Sequence, residues 1–184
     1  MQELKIRFTG VTPLLPHNGQ LANPLNEYAR ALKKVSGKRK KTDADFEEMA
    51  RIEWFGGLYL NESRQIIVPT ESVEAALKES AKRDKKGKAV DQALVCVETT
   101  PLDIGVDKTL EELWADPKYR LTCGVKVKMS RVMRTRPRFE KWSFVATVRF
   151  DERILERSDI EAFSKVASFC DWRPKYGQAI SEII

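Results

Sequence analysis

Apolar and polar residues alternate at the start of the chain. Leu4, Ile6 and Phe8 interleave with Lys5, Arg7 and Thr9, a period-two pattern that predicts a strand with one buried face ending at Gly10. Pro13 and Pro16 lack amide donors and Asn18-Gly19 is a turn dipeptide, so Pro13 to Pro24 reads as a loop. Asn23 as N-cap and Pro24 at the first helical position predict a helix from about Leu25 to Val35, stopped by Ser36-Gly37. Thr42 or Asp43 caps a second helix in which Phe46, Met49, Ala50 and Trp54 recur at helical spacing, and Gly56-Gly57 ends it. Leu58 to Leu60 and Ile66 to Val68 flank the turn Asn61 to Arg64, a short hairpin.

Thr70 is placed to cap the next helix, whose inner face carries Val73, Ala76, Leu77 and Ser80. Lys82 to Lys88 is charged and broken by Gly87, and it predicts a mobile loop. Val90 to Val97 is too short an apolar run to decide between helix and strand, while Thr109 to Trp114 predicts a short helix closed by Asp116-Pro117. Val125, Val127 and Met129 alternate with Lys126, Lys128 and Ser130, and Trp142, Phe144, Ala146, Val148 and Phe150 share one face. Joined through Arg131, Arg134, Arg136, Pro137 and Arg138, these two runs read as a long hairpin with a basic tip. Ser158 then caps a helix with Ile160, Phe163, Val166, Ala167 and Cys170 on one stripe, and Ala179, Ile180 and Ile183 form a last strand.

With the segment from about 18 to 66 set aside as a helical and hairpin insertion, the order is strand, helix, hairpin, helix, strand. That order predicts a single α+β domain over residues 1–184 of ferredoxin-like, RRM-like type: a four-stranded antiparallel sheet with both helices on one face, its open face and long basic hairpin turned to a ligand.

Composition adds a partner to this picture. Of 184 residues, 33 are Lys or Arg and 27 Asp or Glu, a net charge of +6 that tilts the surface toward polyanions. Three separated cysteines, Cys96, Cys123 and Cys170, have no zinc-ligand spacing and read as buried thiols of a reducing compartment. No run approaches membrane-spanning length, so the expectation is a cytoplasmic protein without a membrane partner.

Eight Lys or Arg stand between Arg120 and Lys141 against one acid, Glu140. Cations along a ribbon suit a phosphate backbone, and rings among them suit unpaired bases. The candidate phosphate contacts are Lys126, Lys128, Arg131, Arg134, Arg136 and Arg138, with Lys38, Arg39 and Lys40, and Arg173 and Lys175. The candidate stacking residues are Phe139, Trp142, Trp172 and Tyr176, while Trp54, Phe46 and Phe163 read as core. A third basic cluster lies at Lys82 to Lys88. No carboxylate set suits a metal, no glycine loop suits a nucleotide, and no cofactor is implied; His17, the one histidine, is a weak catalytic candidate in a turn.

The first strand with its exit loop, LKIRFTGVTPLLPHNG, the helix entry Ile66 to Val73, the basic hairpin and Asp171 to Gly177 together resemble the repeat-associated mysterious protein (RAMP) superfamily. Within it the likeness is to the backbone subunit of CRISPR interference complexes and to stand-alone phage and prophage relatives. The resemblance implies a ferredoxin-like core and a non-enzymatic grip on single-stranded RNA or DNA by its backbone, with side-by-side homo-oligomeric or CRISPR-type assembly in antiviral defence. Two alternatives stay open: a metal-independent endoribonuclease using His17, and a phage interaction protein that mimics a CRISPR subunit. One departure is that Gly177 stands alone where the family has a glycine-rich loop.

Overall fold

Alternation at Leu4, Ile6 and Phe8 builds the middle of a sheet, and the remaining elements follow from where those side chains find cover. The computed structural model describes residues 1–127, 129–169 and 176–184. In chain order its elements are β1 (Gln2–Gly10), α1 (Glu27–Ser36), α2 (Asp43–Gly57), α3 (Thr70–Ala81), α4 (Gly87–Ala93), β2 (Leu94–Thr99), α5 (Leu110–Ala115), β3 (Arg120–Val127), β4 (Ser130–Pro137), β5 (Ser143–Phe150), α6 (Arg157–Ser164) and β6 (Ala179–Ile183). They group into two compact units. Met1–Leu14, Leu60–Val106 and Phe139–Ile184 form the first, and Leu15–Tyr59 with Asp107–Arg138 the second.

The first unit is an antiparallel sheet in the order β2-β5-β1-β6, threaded as β1-α3-β2-β5-α6-β6. Register sets Ile6 opposite Ala146 and Phe8 opposite Phe144, so the apolar residues of β1 and β5 share one face. Phe8 and Phe144 stack at 5.3 Å, and Phe169 meets Phe8 edge-on at 4.9 Å. Val73, Ala76 and Leu77 of α3 and Ile160 and Phe163 of α6 are buried, and the two helices touch one another as well as β2 and β6 respectively. Each of the larger of these side chains contributes about 1.5–3 kcal/mol when withdrawn from water.

Several expectations change here. The predicted long hairpin does not exist: β3 pairs with β4, while Ser143 to Phe150 belongs to the four-stranded sheet as β5, between β2 and β1. Lys82 to Lys88 is ordered as a 3-10 turn followed by the start of α4, because Lys86 forms two 2.7 Å bonds to Asp159 and Lys82 pairs with Glu79. The undecided run Val90 to Val97 is both, since α4 ends at Ala93 and β2 starts at Leu94. Caps move by a few residues: Asn26 rather than Asn23 caps α1, Pro69 precedes α3, and Glu156 rather than Ser158 caps α6. Cys96 is buried, and that burial pushes its thiol up to about 12, while Cys123 is half-buried. Among the described residues no helix is long and apolar enough to cross a membrane.

In the second unit, α2 starts at a capping box in which Thr42 Oγ1 accepts from Asp45 N–H and Asp45 accepts from Thr42 N–H at 2.8 Å. Its C-terminal end is buried: Trp54 is fully enclosed and its indole donates to Tyr119 O at 2.8 Å. Gly56 lets α1 approach, since a Cβ there would lie 2.6 Å from Leu21 and 3.0 Å from Tyr28.

Candidate nucleic-acid interface

Charge is segregated between the two units. Residues of the second include 17 Lys or Arg against 10 Asp or Glu, a net +7, whereas the first has 16 against 17, a net −1. The basic character of the chain therefore belongs to the second unit.

Its hairpin sets Lys126 opposite Arg131, Gly124 opposite Met133, and Thr122 opposite Thr135, all on one face. The two threonine hydroxyls meet at 2.9 Å, which fixes the pairing at that end. Arg131 lies across Gly124, where a Cβ would come 3.0 Å from the arginine Cδ. Lys126 and Arg131 are exposed, and no carboxylate among the described residues lies at ion-pair distance from either. Like charges directly opposed on a ladder repel, so the pair disfavours the hairpin until an anion lies between them.

Farther along β4, the arginines are engaged by the protein itself. Arg134 pairs with Glu53 of α2, and the second oxygen of that buried carboxylate accepts the Thr135 amide at 2.8 Å. Arg134 is thus a clamp between hairpin and helix, a correction to its expected role as a phosphate contact. Arg136 and Arg138 are half-buried and interact within the chain. Arg120 lies over the Trp114 ring at 4.4 Å, and Arg51 pairs with Glu111 at 2.7 Å. Lys128 lies outside the described residues, as do Trp172, Arg173 and Lys175.

The connection between α1 and α2 divides in the same way. Lys38 is spent on Asp45; its hydrogen bond, with those from Thr42, holds that carboxyl down at about 2 and raises the Lys38 ammonium. Lys41 donates to the Lys38 carbonyl at 2.9 Å. Arg39 and Lys40 stay exposed, as do Lys33 and Lys34 on the last turn of α1. Among the described residues, exposed cations outside any ion pair in the second unit thus include those of the hairpin tip and of this connection.

Two of the four expected aromatic contacts do not hold. Phe139 is fully buried and exchanges backbone hydrogen bonds with Leu14 at 2.9 and 3.0 Å. Trp142 is 3% exposed; its indole donates to Thr12 O at 2.8 Å and covers Gly10, where a Cβ would fall 2.1 Å from Nε1. Neither ring can stack on a base. Tyr176 is half-buried, its carbonyl taking a 3.3 Å bond from Ser168. Conversely Phe46, expected in the core, is 56% exposed. Sequence reasoning missed it because its helical spacing matches that of the buried Trp54.

The open face of the first unit's sheet is also unlike a base-binding platform. Its strands present Glu3, Lys5 and Arg7 from β1, Glu98 from β2, Arg149 from β5 and Glu182 from β6, three acids against three bases and no ring. Arg149 pairs with Glu3 at 2.8 Å, and Thr147 donates to Glu98 at 3.1 Å. His17 is exposed in the second unit, its carbonyl accepting from the Tyr59 hydroxyl at 3.2 Å. No group of three or more metal-binding side chains occurs among the described residues. No protein-family model matches the chain, and no curated protein matches it.

Proposed function

We propose that the protein binds single-stranded RNA or DNA by its sugar-phosphate backbone and catalyses no reaction on it. The observation that carries this reading is the exposed, directly opposed pair Lys126 and Arg131 on a unit of net charge +7. An arrangement that repels itself in isolation is favoured when a polyanion neutralises both members. Arg39 and Lys40 extend the cationic surface within the same unit. A backbone grip reads no sequence, so RNA and DNA are both accommodated.

The strand order β2-β5-β1-β6, threaded as two strand-helix-strand halves, supports a ferredoxin-like reading of the first unit and with it the likeness to RAMP proteins. Side-by-side assembly along one strand, as in a CRISPR backbone subunit, follows from that likeness. It predicts bound mass rising in equal steps with oligonucleotide length.

Anisotropy of a labelled single-stranded oligonucleotide tests the grip. Removing both cations in a Lys126→Ala, Arg131→Ala variant is expected to weaken binding on the order of a hundredfold or more, since each charge-assisted contact contributes about 1.5–3 kcal/mol. A Lys82→Ala, Arg83→Ala variant in the first unit is expected to change little. Equal weakening by both variants, or no binding by the unaltered protein, contradicts the reading.

A further inference from the structure

Among the described residues Phe46 is the one aromatic side chain left largely in water, and its position on α2 is what gives it meaning. Gly57 approaches Pro137, with a Cβ there lying 3.1 Å from the proline ring, and Glu53 holds Arg134 and the Thr135 amide. Helix and strand therefore run in the same direction along one another, with the 53–57 side of α2 against β4. Phe46 stands seven residues before Glu53 and eleven before Gly57, about two and three helical turns, so it belongs to that same stripe. From Glu53 back to Phe46 the helix falls about 10 Å, which a strand covers in about three residues. Counted from Arg134, three residues lead to Arg131. The exposed ring thus stands at the level of the two opposed cations, within one unit, and Arg39 and Lys40 immediately precede its helix. Glu47 and Glu48 point about 100° and 200° away around α2, and Asp43, one turn earlier, is the acid on this side.

We propose that Phe46 is the base-stacking platform of the interface: an unpaired nucleobase lies on its ring while Arg131 and Lys126 hold the adjoining phosphates. The proposal rests on the nucleic-acid reading above and adds to it a second kind of contact, one that sees a base. A ring beside exposed cations is complementary to a strand that carries both a charge and a π-face at every nucleotide.

Two single-stranded oligomers of equal length and charge, one of thymidine and one abasic, separate the contacts. Phe46→Ala is expected to weaken the thymidine oligomer by roughly 5- to 150-fold and leave the abasic one unchanged, with Phe46→Trp retaining affinity. Arg131→Ala is expected to weaken both. Unchanged thymidine affinity in Phe46→Ala, or an equal loss on both oligomers, overturns the role of Phe46 and leaves the backbone grip standing. A change in sedimentation of the free Phe46→Ala protein overturns it too, by assigning the ring to a contact between copies of the chain. If the unaltered protein retains neither oligomer, the nucleic-acid reading itself falls.

Discussion

At the scale of single residues, two carboxylates decide what the cations of the second unit are free to do. Glu53 is buried and satisfies both the Arg134 guanidinium and the Thr135 amide. Glu53→Ala strands that amide and is expected to cost about 1–3 kcal/mol, read as a lowered urea midpoint; Glu53→Gln, which keeps an acceptor, is expected to cost less. Asp45 is held down at about 2 by Lys38 and by the Thr42 amide, from an ordinary value of 3.8. A carboxyl whose folded value is depressed stabilises the fold above its unfolded value and loses that contribution as pH falls. The expected outcome is a denaturation midpoint that declines between about pH 4 and pH 2, with a shallower decline in Asp45→Asn. Lys38 is thereby removed from the roll of candidate phosphate contacts, and Arg39 and Lys40 are left on it.

At the scale of elements, the hairpin is where the proposed function and stability pull apart. Opposed like charges at Lys126 and Arg131 disfavour the β3–β4 ladder, by about 0.2–1 kcal/mol on the scale of such cross-strand pairs. Arg131→Glu is expected to raise the thermal midpoint of the free protein while weakening oligonucleotide binding, two changes of opposite benefit from one substitution. A simple edge hairpin that uses charge only to deter aggregation predicts no loss of binding. This hairpin was also the element hardest to read from sequence. β1 and α3 were legible because one clean periodicity set each apolar face. β4 was not, since Ser130 to Pro137 carries three arginines and its inner face meets the Glu53 carboxylate in place of an apolar layer. Read as a loop, it left β3 without a partner and lent β3 the next apolar strand, β5. Trp142 then looked like the rim of a basic tip, although it packs on Gly10 and bonds Thr12.

At the scale of the molecule, charge is divided, +7 on the second unit and −1 on the first, and the proposed binding falls to the second. The first unit pairs charges across the ladder, as at Glu3 and Arg149, and ties Lys82 to Glu79 and Lys86 to Asp159, while Arg83, Lys85 and Lys88 of the same cluster stay exposed. Composition revealed the total of +6 but not its placement, because the second unit is assembled from two stretches nearly fifty residues apart in sequence. The salt dependence of single-stranded oligonucleotide binding tests this division most directly. With Arg39, Lys40, Lys126 and Arg131 each neutralising one phosphate, log affinity is expected to fall with log salt at a slope of about −3, becoming shallower by about 1.4 in Lys126→Ala, Arg131→Ala. A slope near zero, or one the double variant leaves unchanged, contradicts the account.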